Sequence, residues 1–308
     1  MSEFGFTSKA RLLKLFLLAT GLLAGLFASA GMAQADKVVV VDDRGKEITI
    51  PQPVTRVVVA GTPLYTEILV DIGALGLIVG VTDSPDNPPE VDDLPKVGDS
   101  LQPNIEEVIA LEPDVVFGAI FGVRDQLEAA GIIVVTPVSF ITKIPDTFKV
   151  IRDLGKIVDH VAQAELLIGQ ISEAVVDVES IVAQEERMST AFLFAFSSES
   201  PPFAVGKGSV EGELIARAGG RNLFGDVDGG NVVSFEAVIE RDPDFIFTDP
   251  SQIKFITENA LLSDVSAVKN GRVFGISASS LTSTRIAETL QKMALALHPS
   301  LFTATEKE

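Results

Sequence analysis

Two stretches decide the fold: NIEEVIALEPDVVF at 104–117 and SFEAVIERDPDFIF at 234–247, identical at six of 14 positions and offset by 130 residues. Each reads as a helix opened by an N-cap, Asn104 or Ser234, whose side-chain oxygen can accept from the first free N–H groups. Apolar residues follow at Val108 and Ile109, or Val238 and Ile239. Pro113 or Pro243 stops the helix, since proline brings no N–H and clashes with the preceding turn. Val115-Val116-Phe117 and Phe245-Ile246-Phe247 then form short apolar runs of the kind buried in parallel strands. A helix feeding a strand is the unit of a parallel α/β sheet, and here it occurs twice. A weaker echo, in the same order, pairs EILVDIGALGL (67–77) with ELIARAGGRNL (213–223).

Further strands are expected at 56–60 and 191–196 before these units, and at 132–137 and 272–276 after them. The expected architecture is therefore two small parallel-sheet α/β lobes, an N-terminal one over 36–158 and a C-terminal one over 188–308. Between them, Val161, Ala164, Ile168, Ile171, Val175, Val178 and Val182 recur at alternating spacings of three and four, the stripe of an amphipathic helix. A spacer helix, with its flanks occupying 159–187, would run from 161 to 186 and be about 39 Å long at 1.5 Å per residue.

Composition narrows the chemistry. Among 308 residues, 43 are acidic and 24 basic, for a formal charge of -19. Phosphate binding needs clustered Lys and Arg, so a nucleic-acid partner is excluded as an expectation. With no Cys and two His, thiolate nucleophiles, zinc-thiolate sites and three-histidine metal sites cannot be built. Residues 1–35 read as a secretory signal: Lys9, Arg11 and Lys14, then an apolar stretch, then Ala33-Gln34-Ala35 as a small-x-small cleavage pattern, with Ala30 as an alternative site. The uncleaved alternative is an anchor, because residues 15–33 carry no charge. Without a cysteine at the cleavage point, the expectation is a free periplasmic protein and not a lipoprotein.

Ligands of open parallel sheets bind beyond the carboxyl ends of the strands, so two facing lobes create a cleft lined by those loops. Tyr65, Phe121, Phe140 and Phe203 are its aromatic candidates, and Arg124 and Arg285 are the groups able to hold an anion bidentately. Enzyme signatures fail. GKGS at 206–209 departs from a phosphate loop because Gly208 separates Lys207 from Ser209. DVDGGN at 226–231 lacks the calcium loop's bidentate Glu, with Ala237 in its place. The crowded Asp83, Asp86, Glu90, Asp92 and Asp93 read either as a solvated loop or as paired catalytic carboxylates of a secreted hydrolase. Glu106 and Glu236 hold matching places at the two repeated helix starts, where the helix dipole favours acids. They also form a symmetric pair that arginines of a pseudo-twofold partner could grip.

The chain resembles class III periplasmic substrate-binding proteins of ABC importers, the group handling vitamin B12, ferric siderophores and haem. The matching stretches are VDDRG (41–45) with Ile50-Pro51, RVV (56–58) with Thr66-Glu67, PKVG (95–98), GKGSVEGELIARAGGRNLF (206–224) and VKNGRV (268–273). The resemblance implies two lobes on one long helix, no catalysis and no cofactor. It further implies a monomer that docks on an ABC permease dimer with its ATPase through Glu106 and Glu236. The implied ligand is a bulky metal chelate, a corrinoid or a ferric siderophore, with haem or a molybdate-type oxyanion as alternatives within the same fold. Asn87 stands where many haem binders place a tyrosine before the Pro pair, here Pro88-Pro89. Phe203 follows Pro201-Pro202 as in cobalamin-binding members.

Overall fold

In the computed structural model the chain is described over residues 36–302, so the signal assigned to 1–35 lies outside the described residues. A hairpin opens the fold, β1 (Lys37–Val41) and β2 (Glu47–Pro51). The N-terminal half then alternates β3 (Val57–Val59), α1 (Pro63–Asp71), β4 (Ile78–Val81), α2 (Ile105–Ala110), β5 (Val115–Phe117), α3 (Phe121–Ala129), β6 (Val134–Val135) and α4 (Ile144–Ile157). Its four strands lie in the order β4-β3-β5-β6, all parallel. Helix α5 (Val161–Val182) follows.

The second half contains β7 (Met188–Phe194), β8 (Phe203–Val205), α6 (Val210–Arg217), β9 (Gly220–Asn222), β10 (Gly230–Val232), α7 (Phe235–Arg241) and β11 (Phe245–Thr248). It continues with α8 (Ile253–Thr257), α9 (Ser266–Lys269), β12 (Val273–Gly275), α10 (Ala278–Leu281), α11 (Ile286–Leu297) and α12 (Pro299–Phe302). This sheet is mixed rather than wholly parallel. Strands β9, β7, β11 and β12 pair in parallel, while β8 and β10 add an antiparallel edge. The sequence offered no second helix between β7 and β8, and a short connection of this kind can only return antiparallel.

The repeated units fold as expected. Asn104 Oδ1 accepts from the N–H groups of Glu106 and Glu107 at 3.0 and 3.3 Å, and Ser234 Oγ from that of Ala237 at 3.2 Å. Only one residue of each apolar pair is buried, Val108 and Val238, because the helices are six and seven residues long and show the core a single turn. The shared Pro-Asp has a second purpose. Asp114 Oδ2 accepts from Thr55 N–H, Thr55 Oγ1 and Arg56 N–H at 2.7 to 2.9 Å, and Asp244 Oδ2 accepts from Ser189 Oγ at 2.5 Å. In both halves this aspartate ties the incoming strand to its central neighbour.

Strand alternation builds three apolar layers. Val57, Val59, Val115 and Phe117 face inward with Phe192, Phe245 and Phe247 of the second sheet into one continuous core that includes α5. Val58 and Val116 face the opposite side with Val108 and Leu127, and Ala191, Leu193 and Ile246 face out with Val238. Helix α5 spans 22 residues, about 33 Å. It buries Ala164, Ile168, Ile171, Val175, Val178 and Val182 against α4 and α11, while Val161 at its start is exposed.

Candidate functional site

The carboxyl ends of β3 and β5 approach each other through two glycines. A Cβ on Gly61 would lie 2.6 Å from Gly118 Cα, and Gly118 has φ +83° with the Tyr65 ring against it. Only glycine permits this approach. It leaves a cleft of about 230 Å³ lined by Tyr65, Leu101, Ile120, Val138, Phe140 and, from the second half of the chain, Thr282.

The lining is apolar with hydroxyls. Tyr65 is 4 % exposed and its hydroxyl donates to Val138 O at 3.2 Å. Burial first, and the Asp43 charge second, hold its phenol well above the ordinary tyrosine value, so it stays neutral. Phe140 lines this cleft and Phe121 an adjoining hollow that shares Ile120 and Ser139 with it; the two rings are 65 % and 66 % exposed, with centroids 6.3 Å apart. Phe121 also has φ +51°, a left-handed conformation that a bulky residue adopts at a cost. Singly exposed apolar residues are common, but two facing rings at the mouth of a cleft form a patch ready to receive an apolar surface.

Arg124 does not present a free guanidinium to this cleft, contrary to expectation. It is buried, its Nη1 and Nη2 bind Asp43 at 2.5 and 2.9 Å, and its Nε donates to Ala119 O at 3.1 Å. A buried cation requires a partner, and the fork is satisfied inside the protein. Burial opposes ionisation of Asp43, but hydrogen bonds from Arg124 and Ser139 and the charges of Arg124 and Arg44 outweigh it and hold the carboxyl below its ordinary value.

Asn87 and Arg285 meet elsewhere, in a second hollow with Glu67, Asp71 and Thr284. Asn87 Nδ2 donates to Thr82 O at 2.7 Å, while its Oδ1 is buried with no partner. Arg285 is ion-paired with Glu67, whose side chain is 7 % exposed, so it too is engaged rather than free. Tyr65 and Glu67 are two residues apart on α1 and so point to opposite sides of the helix, one to each hollow. Phe203 is drawn into the sheet edge, where its ring packs so closely over Gly230 that a Cβ there would fall 2.4 Å from it. The most exposed aromatic of the second half among the described residues is instead Phe196, 72 % exposed. Sequence reading placed Phe196 in the preceding strand; Leu101 and Thr282 carried no signal beyond their loops.

Glu106 and Glu236 are both exposed in the first turns of α2 and α7. Hydrogen bonds from its own N–H and from Ser234 hold Glu236 below the ordinary glutamate value. The acidic loop residues Asp83, Asp86, Glu90, Asp92 and Asp93 are all exposed, which fits a solvated loop. Both histidines bond to chain carbonyls, His160 Nδ1 to Ile72 O at 2.7 Å and His298 Nε2 to Gly219 O at 3.3 Å.

Residues 58–279 match the family described as periplasmic binding protein, and the chain belongs to that family. Among curated relatives it is 26% identical over 274 residues to YvrC of Bacillus subtilis (strain 168), named an uncharacterized ABC transporter substrate-binding lipoprotein, with 86% of this chain and 87% of that one covered. It is 25% identical over 275 residues to a protein of Halobacterium salinarum named cobalamin-binding protein, covering 83% and 73%. Its fold matches a solved structure from Saccharomonospora viridis, described as an ABC-type Fe3+-hydroxamate transport system, with a TM-score of 0.73 at 23% identity, covering 85% and 99%. The two-lobe architecture with one long connecting helix is thus the family's own. The localisation expectation is corrected here. YvrC is named a lipoprotein, so the similar proteins include membrane-attached ones, and the reading of this chain as free of the membrane is withdrawn.

Proposed function

We propose that this chain is the substrate-binding component of an ABC importer, capturing a bulky metal chelate, a corrinoid or a ferric siderophore, and delivering it to a membrane permease dimer with its ATPase. It acts as a monomer and makes no covalent change to its ligand. The lobes of the proposal are 36–158 and 188–308, joined through 159–187, with permease docking at Glu106 and Glu236.

The observation that carries this reading is the pair of exposed phenylalanines, Phe121 and Phe140, over a cleft whose hydroxyls are neutral. Such a mouth suits a ligand that is large, partly apolar and already coordinatively satisfied. The names carried by the Halobacterium and Saccharomonospora proteins support the same class of ligand. Haem is less well served: Tyr65, the sole tyrosine, gives its hydroxyl to Val138 O and is kept protonated by burial. A phenolate axial ligand would have to overcome both.

The test is titration of the purified protein with cyanocobalamin, ferrioxamine B and haemin, followed by absorbance and native mass spectrometry. A one-to-one complex with cyanocobalamin or ferrioxamine B is expected. Binding of haemin alone, or of none of the three, would overturn the chelate assignment.

A further inference from the structure

The two aromatic side chains at the cleft mouth come from different loops, and neither is fixed by its own packing, since both are about two-thirds exposed. Phe121 opens α3, and Phe140 lies in the loop between β6 and α4. What joins these loops is a residue from a third place in the fold, the turn between β1 and β2. Asp43 receives both terminal nitrogens of Arg124, three residues along α3 from Phe121. Its Oδ2 also accepts from the hydroxyl of Ser139, immediately before Phe140. Its own N–H donates to Thr136 O at 2.9 Å, at the end of β6. Arg124 closes the ring by donating to Ala119 O, which also accepts from Thr136 Oγ1 at 2.7 Å.

We propose that Asp43 is a positioning residue for the ligand cleft, a charged clasp that holds the Phe121 and Phe140 loops at a fixed separation. The inference rests on the chelate-binding reading for its functional consequence, but not for its geometry. Charge-assisted, bidentate bonds are directional, and here they act on both loops through one carboxylate. The turn that supplies it is itself braced. Asp42, 4 % exposed, accepts from Arg44 N–H and Nε and from Lys46 N–H, which fixes where the next residue points. The hairpin at the start of the chain therefore reaches the aromatic pair, and Asp43 and Arg44 line a hollow together with Phe121, Arg124 and Ser139. Sequence reading missed Asp43 because its partners lie 81 and 96 residues away.

The decisive experiment is amide hydrogen exchange with ligand titration on Asp43→Asn and Ser139→Ala, with Asp125→Asn as the control on the same helix and Asp43→Glu as the charge-conserving variant. In Asp43→Asn, which leaves the buried Arg124 without its charged partner, the melting temperature is expected to fall, and exchange to accelerate at least about tenfold more in 120–125 and 138–142 together than in the rest of the chain. Affinity for cyanocobalamin or ferrioxamine B, whichever the wild type binds, should fall by about tenfold and return to within about threefold in Asp43→Glu. Acceleration in one loop only, in neither, or equally across the whole chain would overturn the clasp. Wild-type protein that binds neither probe overturns the chelate reading, and the exchange pattern then decides the role of Asp43 alone.

Discussion

Glu67 and Glu213 occupy matching places in the internal repeat, and each is bonded to the opposite half of the chain. Glu67, on α1, accepts from the N–H of Thr284 at 3.3 Å and pairs with Arg285. Glu213, on α6, accepts at Oε2 from the N–H of Ile144 at 2.9 Å, at the first residue of α4. The weak sequence echo between 67–77 and 213–223 thus marks a reciprocal pair of links, beyond a shared helix.

Glu67 gives a pH signature. Burial raises its carboxyl above the ordinary value, and Arg285 and Thr284 offset only part of that. The folded protein therefore holds this proton more tightly than the unfolded chain, and the site contributes less stability as pH rises through the raised value. Glu67→Gln should gain on wild type in urea unfolding as pH rises from the ordinary glutamate value towards neutrality. A constant difference across that range would show that Glu67 ionises normally.

Asp114 works in the opposite direction. Burial, the largest single effect, raises it, but the bonds from Thr55 and Arg56 together prevail and hold it below the ordinary aspartate value. Its contribution is present above that value and lost as pH falls through the lowered one. Asp114→Asn should leave a flatter acid limb in the stability curve, while an unchanged limb would place the acid sensitivity elsewhere.

Phe121→Gly and Phe121→Ala separate strain from function. At φ +51° alanine keeps the left-handed penalty and glycine escapes it. The glycine variant is expected to be the more stable by about 1 kcal/mol, and both variants should lose ligand affinity. Equal stability by calorimetry would mean that the loop relaxes when the ring is removed.

Gly61→Ala should destabilise by about 3 kcal/mol, because the new methyl meets Gly118 backbone atoms at 2.6 to 2.9 Å and neither strand end can retreat. Chemical denaturation measures this directly, and a loss below about 1 kcal/mol would show that the strand ends yield.

Glu106→Ala combined with Glu236→Ala should leave chelate affinity intact and abolish uptake in cells. Both side chains are exposed and touch nothing in the cleft lining, so a loss of ligand affinity would contradict their assignment to docking. Unchanged uptake would do so equally.

The alternation of helix and strand, the repeat and the stripe of α5 were legible because local periodicity encodes them, and six of the seven stripe residues are buried. The antiparallel edge of the second sheet was not legible, since β8 and β10 are three residues each and carry no distinctive pattern. Tyr65 in the cleft and Phe121 beside it could be found from their loops. What could not be found was which cations were already engaged. Arg124 and Arg285 look identical to free arginines in sequence, and their partners Asp43 and Glu67 lie 81 and 218 residues away.

The chain passes from one half to the other once, through the 22 residues of α5, and a single apolar core continues on both sides of it. With docking at Glu106 and Glu236 as proposed, this single connection and shared core predict that their separation stays the same with and without ligand, which scattering of the two forms checks. With docking through these carboxylates, an empty carrier offers the permease the same two handles as a filled one, and the two compete. Import would then follow the ratio of filled to empty copies, so that surplus carrier at scarce ligand slows the traffic it serves.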